Sequence, residues 1–423
     1  MIPTDRPAAR VRNTRVVFHL RLIETVRRPW SLTLLAALAL GGAAWARIGS
    51  DTQRLYERAQ AEARAGRFEQ AAATLERLDR LRSPTPVIRL LRAQVSGARS
   101  NTEAAVTELR AIPDGHPLAP LARLSEGQLE ARRGRLRLAE TAFQKALKLN
   151  PRNVQARREL VYIYSIQQRL PEVDEHLNAL SEMGAMDLTH LLHWGMIRHS
   201  EWAAGTDMGA LERYLAADPE DRHSRLALAE AQRRTGRAAQ AVETIAMLPE
   251  SDSDARATRA RLALGRGERA VAEALLAGGP VDHPALAQLR GQLALSRRDY
   301  REAIHHLRIA LAAEPGDHAL KYNLAIALTA AGDAAAAEPF QAAFRRYDDL
   351  GKLMIEVKND GLKDPTLPHR VGQACIDAGR PLEGRAWLNL AIARNPLDAD
   401  SLGALSRLDR IASTGKPPAL ARP

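Results

Sequence analysis

The sequence has few of the residues that build common covalent or metal sites. It contains one cysteine, Cys375, in 423 residues, and only 4% of its residues are aromatic. A single cysteine excludes an intramolecular disulfide framework, a four-cysteine zinc site and any redox motif that needs two cysteines. Lysine is also scarce, since 54 of the 61 basic residues are arginine. What remains is a helix-rich chain with 45% hydrophobic residues and a net charge of +11.

The positive charge is concentrated at the N-terminus. Residues 1–28 contain seven arginines and two acidic residues, whereas the remaining 395 residues share an excess of only +6. A high isoelectric point is typical of nucleic-acid-binding proteins. Here the rest of the excess lies on helical surfaces of mixed sign, so we expect no nucleic-acid partner.

One uncharged apolar run follows the basic segment. From Trp30 to Ala46 the sequence reads WSLTLLAALALGGAAWA, which as a helix spans about 26 Å, close to the thickness of a bilayer core. Tryptophans lie at both ends of the run, and arginines flank it, as expected for residues at the two membrane interfaces. We predict a basic cytoplasmic tail over 1–28 and a transmembrane signal-anchor over 29–47.

The arginine bias also predicts the orientation. The positive-inside rule leaves the N-terminus in the cytoplasm and exports everything after Ser50, which indicates a single-pass protein of the bacterial inner membrane with a periplasmic body. Two alternatives remain open for the anchor. It stays attached, or it is a signal peptide cut after Ala46, where Ala44-Trp45-Ala46 matches a cleavage site.

A repeated pattern fills the chain beyond residue 50. A helical stretch ends in glycine, and a second helix has a small residue five positions later, then a large apolar residue, and often a proline at its end. Three copies place the first glycine and the last proline 24 residues apart: GQLEARRGRLRLAETAFQKALKLNP (127–151), GQLALSRRDYREAIHHLRIALAAEP (291–315) and GQACIDAGRPLEGRAWLNLAIARNP (372–396).

The pattern resembles the tetratricopeptide-repeat family, whose 34-residue unit has small residues at positions 8 and 20 and a proline near 32. The resemblance implies an all-α fold, in which about ten pairs of antiparallel helices, A and B, form a right-handed superhelical α-solenoid over 52–398. Small residues let the paired helices approach closely, and each pair buries its apolar face against its neighbours. We place the pairs at 52–85, 86–119, 120–153, 154–187, 188–221, 222–252, 253–283, 284–317, 318–350 and 365–398.

Several stretches depart from the repeat. The second pair has Ser100 where a turn glycine is expected, and the sixth and seventh are about three residues short, which we assign to the loops after Leu248 and Ala277. Because Pro339 falls inside a helix B, we expect a kink or an early restart there. We predict an inserted helix over 340–364, a capping helix over 399–412 and a disordered tail over 413–423.

The sequence offers no catalytic constellation. GxSxG, HExxH and P-loop motifs are absent, and the repeats leave no room for a catalytic domain. His190, His193 and His199 lie on one predicted helix, where His190 and His193 could share a face, but the sequence shows neither a third ligand beside them nor the partners that orient metal ligands. Cys375 falls at an inward-facing position and is expected to be a small core residue. We therefore predict no enzyme activity, no catalytic residue, no cofactor and no metal.

The resemblance implies a binding function instead. In this family, helix A residues at positions 2, 5, 9 and 12–13 line the inner groove. In the third to seventh pairs these residues include Gln128, Arg132, Arg158, Tyr162, Met196, His199, Glu230, Arg233, Arg234 and Arg261. Five arginines against one glutamate favour an acidic protein or peptide partner. The alternative is that an arginine-rich chain places arginine on any exposed helix.

We therefore expect a membrane-anchored scaffold or adaptor that acts in envelope assembly or secretion. The alternative is a soluble periplasmic binding module that is released by cleavage after Ala46. The oligomeric state stays open.

Overall fold

The computed structural model describes residues 50–197 and 207–414. Within these ranges it contains 21 α-helices and no β-strand. The helices are α1 Ser50–Arg64, α2 Phe68–Leu81, α3 Pro86–Ala98, α4 Thr102–Arg110, α5 Ala119–Arg132, α6 Leu136–Leu149, α7 Val154–Ile166, α8 Leu170–Glu182, α9 Leu188–Ile197, α10 Met208–Ala217, α11 Arg222–Arg234, α12 Ala238–Ala246, α13 Ser253–Gly265, α14 Arg269–Ala277, α15 Pro284–Ser296, α16 Tyr300–Ala313, α17 His318–Ala330, α18 Ala334–Asp360, α19 Leu367–Asp377, α20 Pro381–Arg394 and α21 Ala399–Thr414.

None of the helices in the described ranges is long and apolar enough to span a bilayer. The predicted cytoplasmic tail (1–28) and anchor (29–47) lie outside these ranges, as do residues 415–423 of the predicted C-terminal tail. The membrane topology therefore stays a prediction.

The described residues form two compact units, one that ends at Leu91 and one that begins at Arg92. In the first unit, α1 and α2 pack against each other. Inside this pair, Thr74 donates a hydrogen bond of 2.7 Å to the Glu62 carboxylate, which also accepts one of 2.9 Å from Arg58. Two hydrogen bonds to a buried carboxylate offset the free-energy cost of removing it from water. Polar as well as apolar contacts therefore stabilise the pair of helices α1 and α2.

Turns with a left-handed residue join the paired helices of the second unit. Gly134 and Gly236 have φ angles of 76° and 77°, which glycine adopts at little cost. Ser100, at the position where the sequence lacks the expected glycine, takes the same conformation with φ 62°. The turn therefore has the same conformation without a glycine. Ser100 adopts backbone angles that are unfavourable for a residue with a side chain.

Position 8 of helix A receives a large side chain from its helix B. A Cβ atom added at Gly127 would lie 2.5 Å from the Phe143 ring, and one added at Gly291 would lie 2.7 Å from Leu307. Distances this short leave no room for a methyl group, so glycine is what allows these helices to pack closely.

The short repeats are short within helix B. In the sixth and seventh repeats, α12 and α14 have nine residues each, compared with 14 in α6 and α16, and α4 of the full-length second repeat also has nine. The expectation that the missing residues lie in the following loops is therefore wrong. In all three repeats, an arginine of the following helix A donates hydrogen bonds to carbonyl groups at or just after the C-terminal end of the nine-residue helix. These arginines are Arg123, Arg259 and Arg290.

The helix α18 runs for 27 residues and contains Pro339. We expected a kink or an early restart there and an inserted helix over 340–364, but the helix does not restart: it is continuous from Ala334 to Asp360. Proline removes a single backbone donor near the N-terminus of this helix. Farther along, Leu350, Met354 and Val357 are buried and stabilise its second half.

The second unit also contains contacts between distant repeats. The helix α8 packs against α20, and α9 packs against both α18 and α20. Ser181 on α8 donates a hydrogen bond of 2.7 Å to the carbonyl oxygen of Leu382, 201 positions later. The expectation that every repeat packs only against its neighbours is therefore wrong at α8 and α9.

Candidate partner-binding surface

We use the term helix A face for the side chains at positions 2, 5, 9 and 12–13 of the first helix of each pair. The structure places eight of the ten predicted residues in two groups. The first lies on α5 and α7 and consists of Gln128, Arg132, Arg158 and Tyr162. The second lies on α11 and α13 and consists of Glu230, Arg233, Arg234 and Arg261. Met196 lies near the end of α9, and His199 is outside the described residues.

The first group contacts acidic residues that were not predicted. Glu159 accepts a hydrogen bond of 3.4 Å from Gln128 Nε2. It also opposes the lowering of the pKa of Arg132 that burial causes. Arg158 donates to the carbonyl oxygen of Ala185 at 2.9 Å and lies 3.6 Å from Asp187. These arginines are therefore largely balanced by carboxylates of the same unit.

Tyr162 is the aromatic member of the first group, and it contacts a neighbouring helix. Its hydroxyl lies 2.7 Å from the hydroxyl of Tyr214 on α10. Burial and this hydrogen bond raise the pKa of Tyr162, so it stays a neutral phenol. The residue as a whole is 37% exposed, so a ligand could contact only part of it.

The second group has a carboxylate at its centre. Arg233 makes two hydrogen bonds of 2.8 Å to Glu230, and Arg234 makes a third of 2.8 Å. Burial would raise the pKa of Glu230, but the bonds from these two guanidinium groups outweigh it and lower that pKa to about 2. Glu230 is therefore ionised at neutral pH and neutralises part of the group's positive charge.

Arg261 differs from the other arginines of the surface. It is half-buried, and it forms no hydrogen bond or ion pair with any residue that the structure describes. Burial lowers its pKa, Glu230 and Asp254 raise it, and Arg233 and Arg234 lower it further. An arginine stays charged under such shifts. Arg261 therefore presents a partly desolvated cation beside an ion-pair cluster.

The histidines near the first group make ordinary polar contacts. His193 Nε2 lies 2.6 Å from Ser165 Oγ, and His190 Nδ1 lies 2.6 Å from Asp187. Burial, with a smaller effect of His190, lowers the pKa of His193 to about 4. Among the described residues no group of three or more histidine, cysteine or acidic side chains could hold a metal ion.

Comparison with known families identifies the repeats. Models described as tetratricopeptide repeat match residues 90–154, 124–172 and 289–350, and a second model of the same description matches 208–262. These segments of the chain are tetratricopeptide repeats, as the sequence pattern predicted. Tetratricopeptide-repeat proteins are scaffolds for protein interactions, and their fold is typically non-enzymatic.

Solved tetratricopeptide-repeat structures resemble the chain at low sequence identity. One is a tetratricopeptide repeat protein from Parabacteroides merdae, with 17% identity, a TM-score of 0.30, and coverage of 57% of this chain and 97% of that one. In the Cut9–Hcn1 hetero-tetramer of the APC/C the values are 14%, 0.35, 89% and 93%. In the human IFIT1 dimer with m7Gppp-AAAA they are 14%, 0.33, 84% and 80%. Likenesses this weak do not bear on what the chain binds.

No curated protein matches the sequence.

The helix A face also includes residues that we did not predict, because we mapped only the third to seventh repeats. On α17 of the ninth repeat, Tyr322 and Ile326 occupy positions 5 and 9 and are 46% and 41% exposed. The Phe344 ring of α18 lies with its centroid 4.7 Å from that of Tyr322. Few residues of the chain are aromatic, so these two contacting rings and the exposed side chain of Ile326 form a distinct apolar area on the helix A face. Extending the same positional rule to the ninth repeat would have found it.

Proposed function

We propose that this chain is a membrane-anchored scaffold that binds an acidic protein or peptide partner on its helix A face. In this proposal residues 29–47 hold it in a bacterial inner membrane, with the N-terminus in the cytoplasm and the repeats in the periplasm. A body in that compartment is suited to envelope assembly or secretion. The chain supplies a binding surface and no catalysis.

One observation supports the acidic partner most strongly. Arg261 is a half-buried guanidinium without an ion-pair partner in the described ranges, whereas Arg158, Arg233 and Arg234 are paired within the unit. A desolvated guanidinium that lacks a carboxylate favours a ligand that supplies one, because it can donate to both oxygens at once. Arg261 is therefore the residue on which we base the proposal.

Apolar contact would come from the ninth repeat. Tyr322 and Ile326 offer exposed apolar surface at equivalent helix A positions. Interfaces gain most of their affinity from a few large side chains of this kind. A partner segment with acidic and apolar residues would use both features.

A charge reversal on the helix A face tests this proposal. The full chain with Arg261→Glu is compared with Arg308→Glu, which makes the same charge change at an exposed position of the helix B α16. After crosslinking in membranes, capture of the partner should fall more than tenfold for the first variant, which is about 1.4 kcal/mol, and stay near the wild-type level for the second. Equal capture by both variants at low salt would contradict the proposal. It would favour the alternative that an arginine-rich chain places arginine on any exposed helix.

The alternative, a soluble periplasmic module, shares the binding surface and differs at the N-terminus. Intact-mass measurement of the mature protein separates the two. A mass that includes residues 1–46 supports the anchor, and a mass that begins after Ala46 supports the released module.

A further inference from the structure

The fifth repeat is split between two parts of the second unit. Its position-8 glycine, Gly195 on α9, is filled by Met354 of α18, since a Cβ at Gly195 would lie 2.4 Å from the Met354 methyl group. The residue that corresponds to Phe143 in the third repeat is Leu211 on α10. It packs instead with Leu228 and Ile166. The helix A of this repeat is therefore completed by a helix far along the chain.

A continuous core surrounds this composite pair. Leu191 of α9 is buried together with Met354, Cys375 and Trp387 of the C-terminal elements. Trp194 is also buried, and its indole N–H donates to Asp174 of α8 at 2.9 Å. We use the term clasp for residues 350–360 of α18 together with α19 and α20, which pack against α8 and α9.

The clasp contains buried polar groups that are poorly satisfied. Glu383 is fully buried and forms an ion pair with Arg380. The carboxylate oxygens of Glu383 and both terminal nitrogens of Arg380 lack a hydrogen bond with good geometry, and so does the buried indole nitrogen of Trp387. A buried ion pair with few supporting hydrogen bonds often costs more in desolvation than it returns. Opening the clasp would return these groups to water.

We infer that the clasp is a conformational switch that opens as one unit while the other repeats stay folded. Three observations support this. The clasp brings together helices that are distant in sequence. Its apolar core is a cluster separate from the cores of the other repeats. Its unsatisfied polar groups offset part of the free energy that packing contributes. Repeat proteins open in contiguous parts when one interface is weaker than the rest.

The chain carries its own reporter for this motion. Cys375 is the only cysteine in the sequence and is fully buried in the clasp core. A buried thiol reacts with a disulfide reagent such as dithionitrobenzoate only when it becomes exposed. When closing is fast, the labelling rate follows the population of the open state. Labelling of the folded full chain therefore measures opening of the clasp.

Two variants with equivalent packing roles distinguish the clasp from global unfolding. Met354→Ala removes the side chain that fills Gly195, and Leu307→Ala removes the one that fills Gly291 in the eighth repeat. We expect Met354→Ala to raise the labelling rate of Cys375 at least tenfold and Leu307→Ala to change it less than threefold. If both variants raise the rate in proportion to their loss of global stability in urea, Cys375 is exposed only by unfolding and the inference is wrong. An unchanged rate in both variants would also overturn it.

A milder variant covers the case in which Met354→Ala does not fold. Ser181→Ala deletes the hydrogen bond to the Leu382 carbonyl and leaves the apolar core in place. We expect a threefold to tenfold faster labelling with unchanged circular dichroism. A rate equal to that of the wild type would contradict a clasp held in part by this bond.

Discussion

Replacing Arg290 with methionine should destabilise the second unit by removing the polar cap of α14. Arg290 donates to the carbonyl oxygens of Leu276 and Gly279, the second at 2.7 Å, and to that of Pro280 at 2.8 Å. A nine-residue helix leaves its last four carbonyls without intrahelical partners, which is a large share of its backbone. The cap therefore supplies what the missing turn of the helix would have supplied.

The magnitude follows from the burial of the acceptors. The bonds to Leu276 and Gly279 are partly buried, whereas the one to Pro280 is exposed to water, which can replace the guanidinium. Hydrogen bonds of this kind contribute about 1 kcal/mol each, and more when one partner is charged. Methionine keeps the apolar stem of the side chain packed. We therefore expect Arg290→Met to cost about 2–3 kcal/mol.

Urea unfolding followed by circular dichroism measures this loss, and amide hydrogen exchange in α14 shows where it arises. The matched control is Arg301→Met, an exposed arginine on α16, for which we expect less than about 0.5 kcal/mol. A loss for Arg290→Met as small as that of the control would refute the capping role.

Three further predictions follow from other features. Gly127→Ala should cost about 1–3 kcal/mol in the free energy of unfolding, because its Cβ would overlap Phe143, whereas Gly403→Ala, which has space, should be neutral or slightly stabilising. Burial, with a smaller effect of the neighbouring arginine, lowers the pKa of His176 to about 4 from the usual 6.5. Its stabilisation is therefore complete above pH 6.5 and is lost as the pH falls toward 4. Unfolding at pH 7 and pH 5 should differ by about 2 kcal/mol more in the wild type than in His176→Gln, and an equal slope in both would contradict the assignment. A reporter that is active only in the cytoplasm, fused after Pro423, should be silent, and activity would exclude the predicted topology.

The features that the sequence predicted well depend on local geometry. The turn glycines and the close approach of the paired helices at the position-8 glycine Gly127 are determined by residues within one repeat. A recurring pattern over 24 residues therefore predicts them. The all-helical fold and the family followed from the same short-range regularity.

The features that the sequence did not predict depend on contacts between distant residues. Nothing near Gly195 indicates that Met354, 159 positions later, will fill it. The pairing of Arg158 with Asp187 also escaped prediction, because we counted only the helix A positions and not the loops beside them. The helix A face therefore carries less excess positive charge than its five predicted arginines suggested. Of these five, Arg261 is the one without a hydrogen-bond or ion-pair partner among the described residues.

The central claim is that the helix A face binds the partner, and site-specific photo-crosslinking tests it most directly. A benzophenone amino acid replaces Tyr322 on the helix A face in one variant and Val271 on the helix B α14 in the other. These positions are 46% and 50% exposed, so reagent access is matched. The account predicts a crosslinked partner band in membranes from position 322 and none from position 271. A partner band from position 271 alone would contradict it.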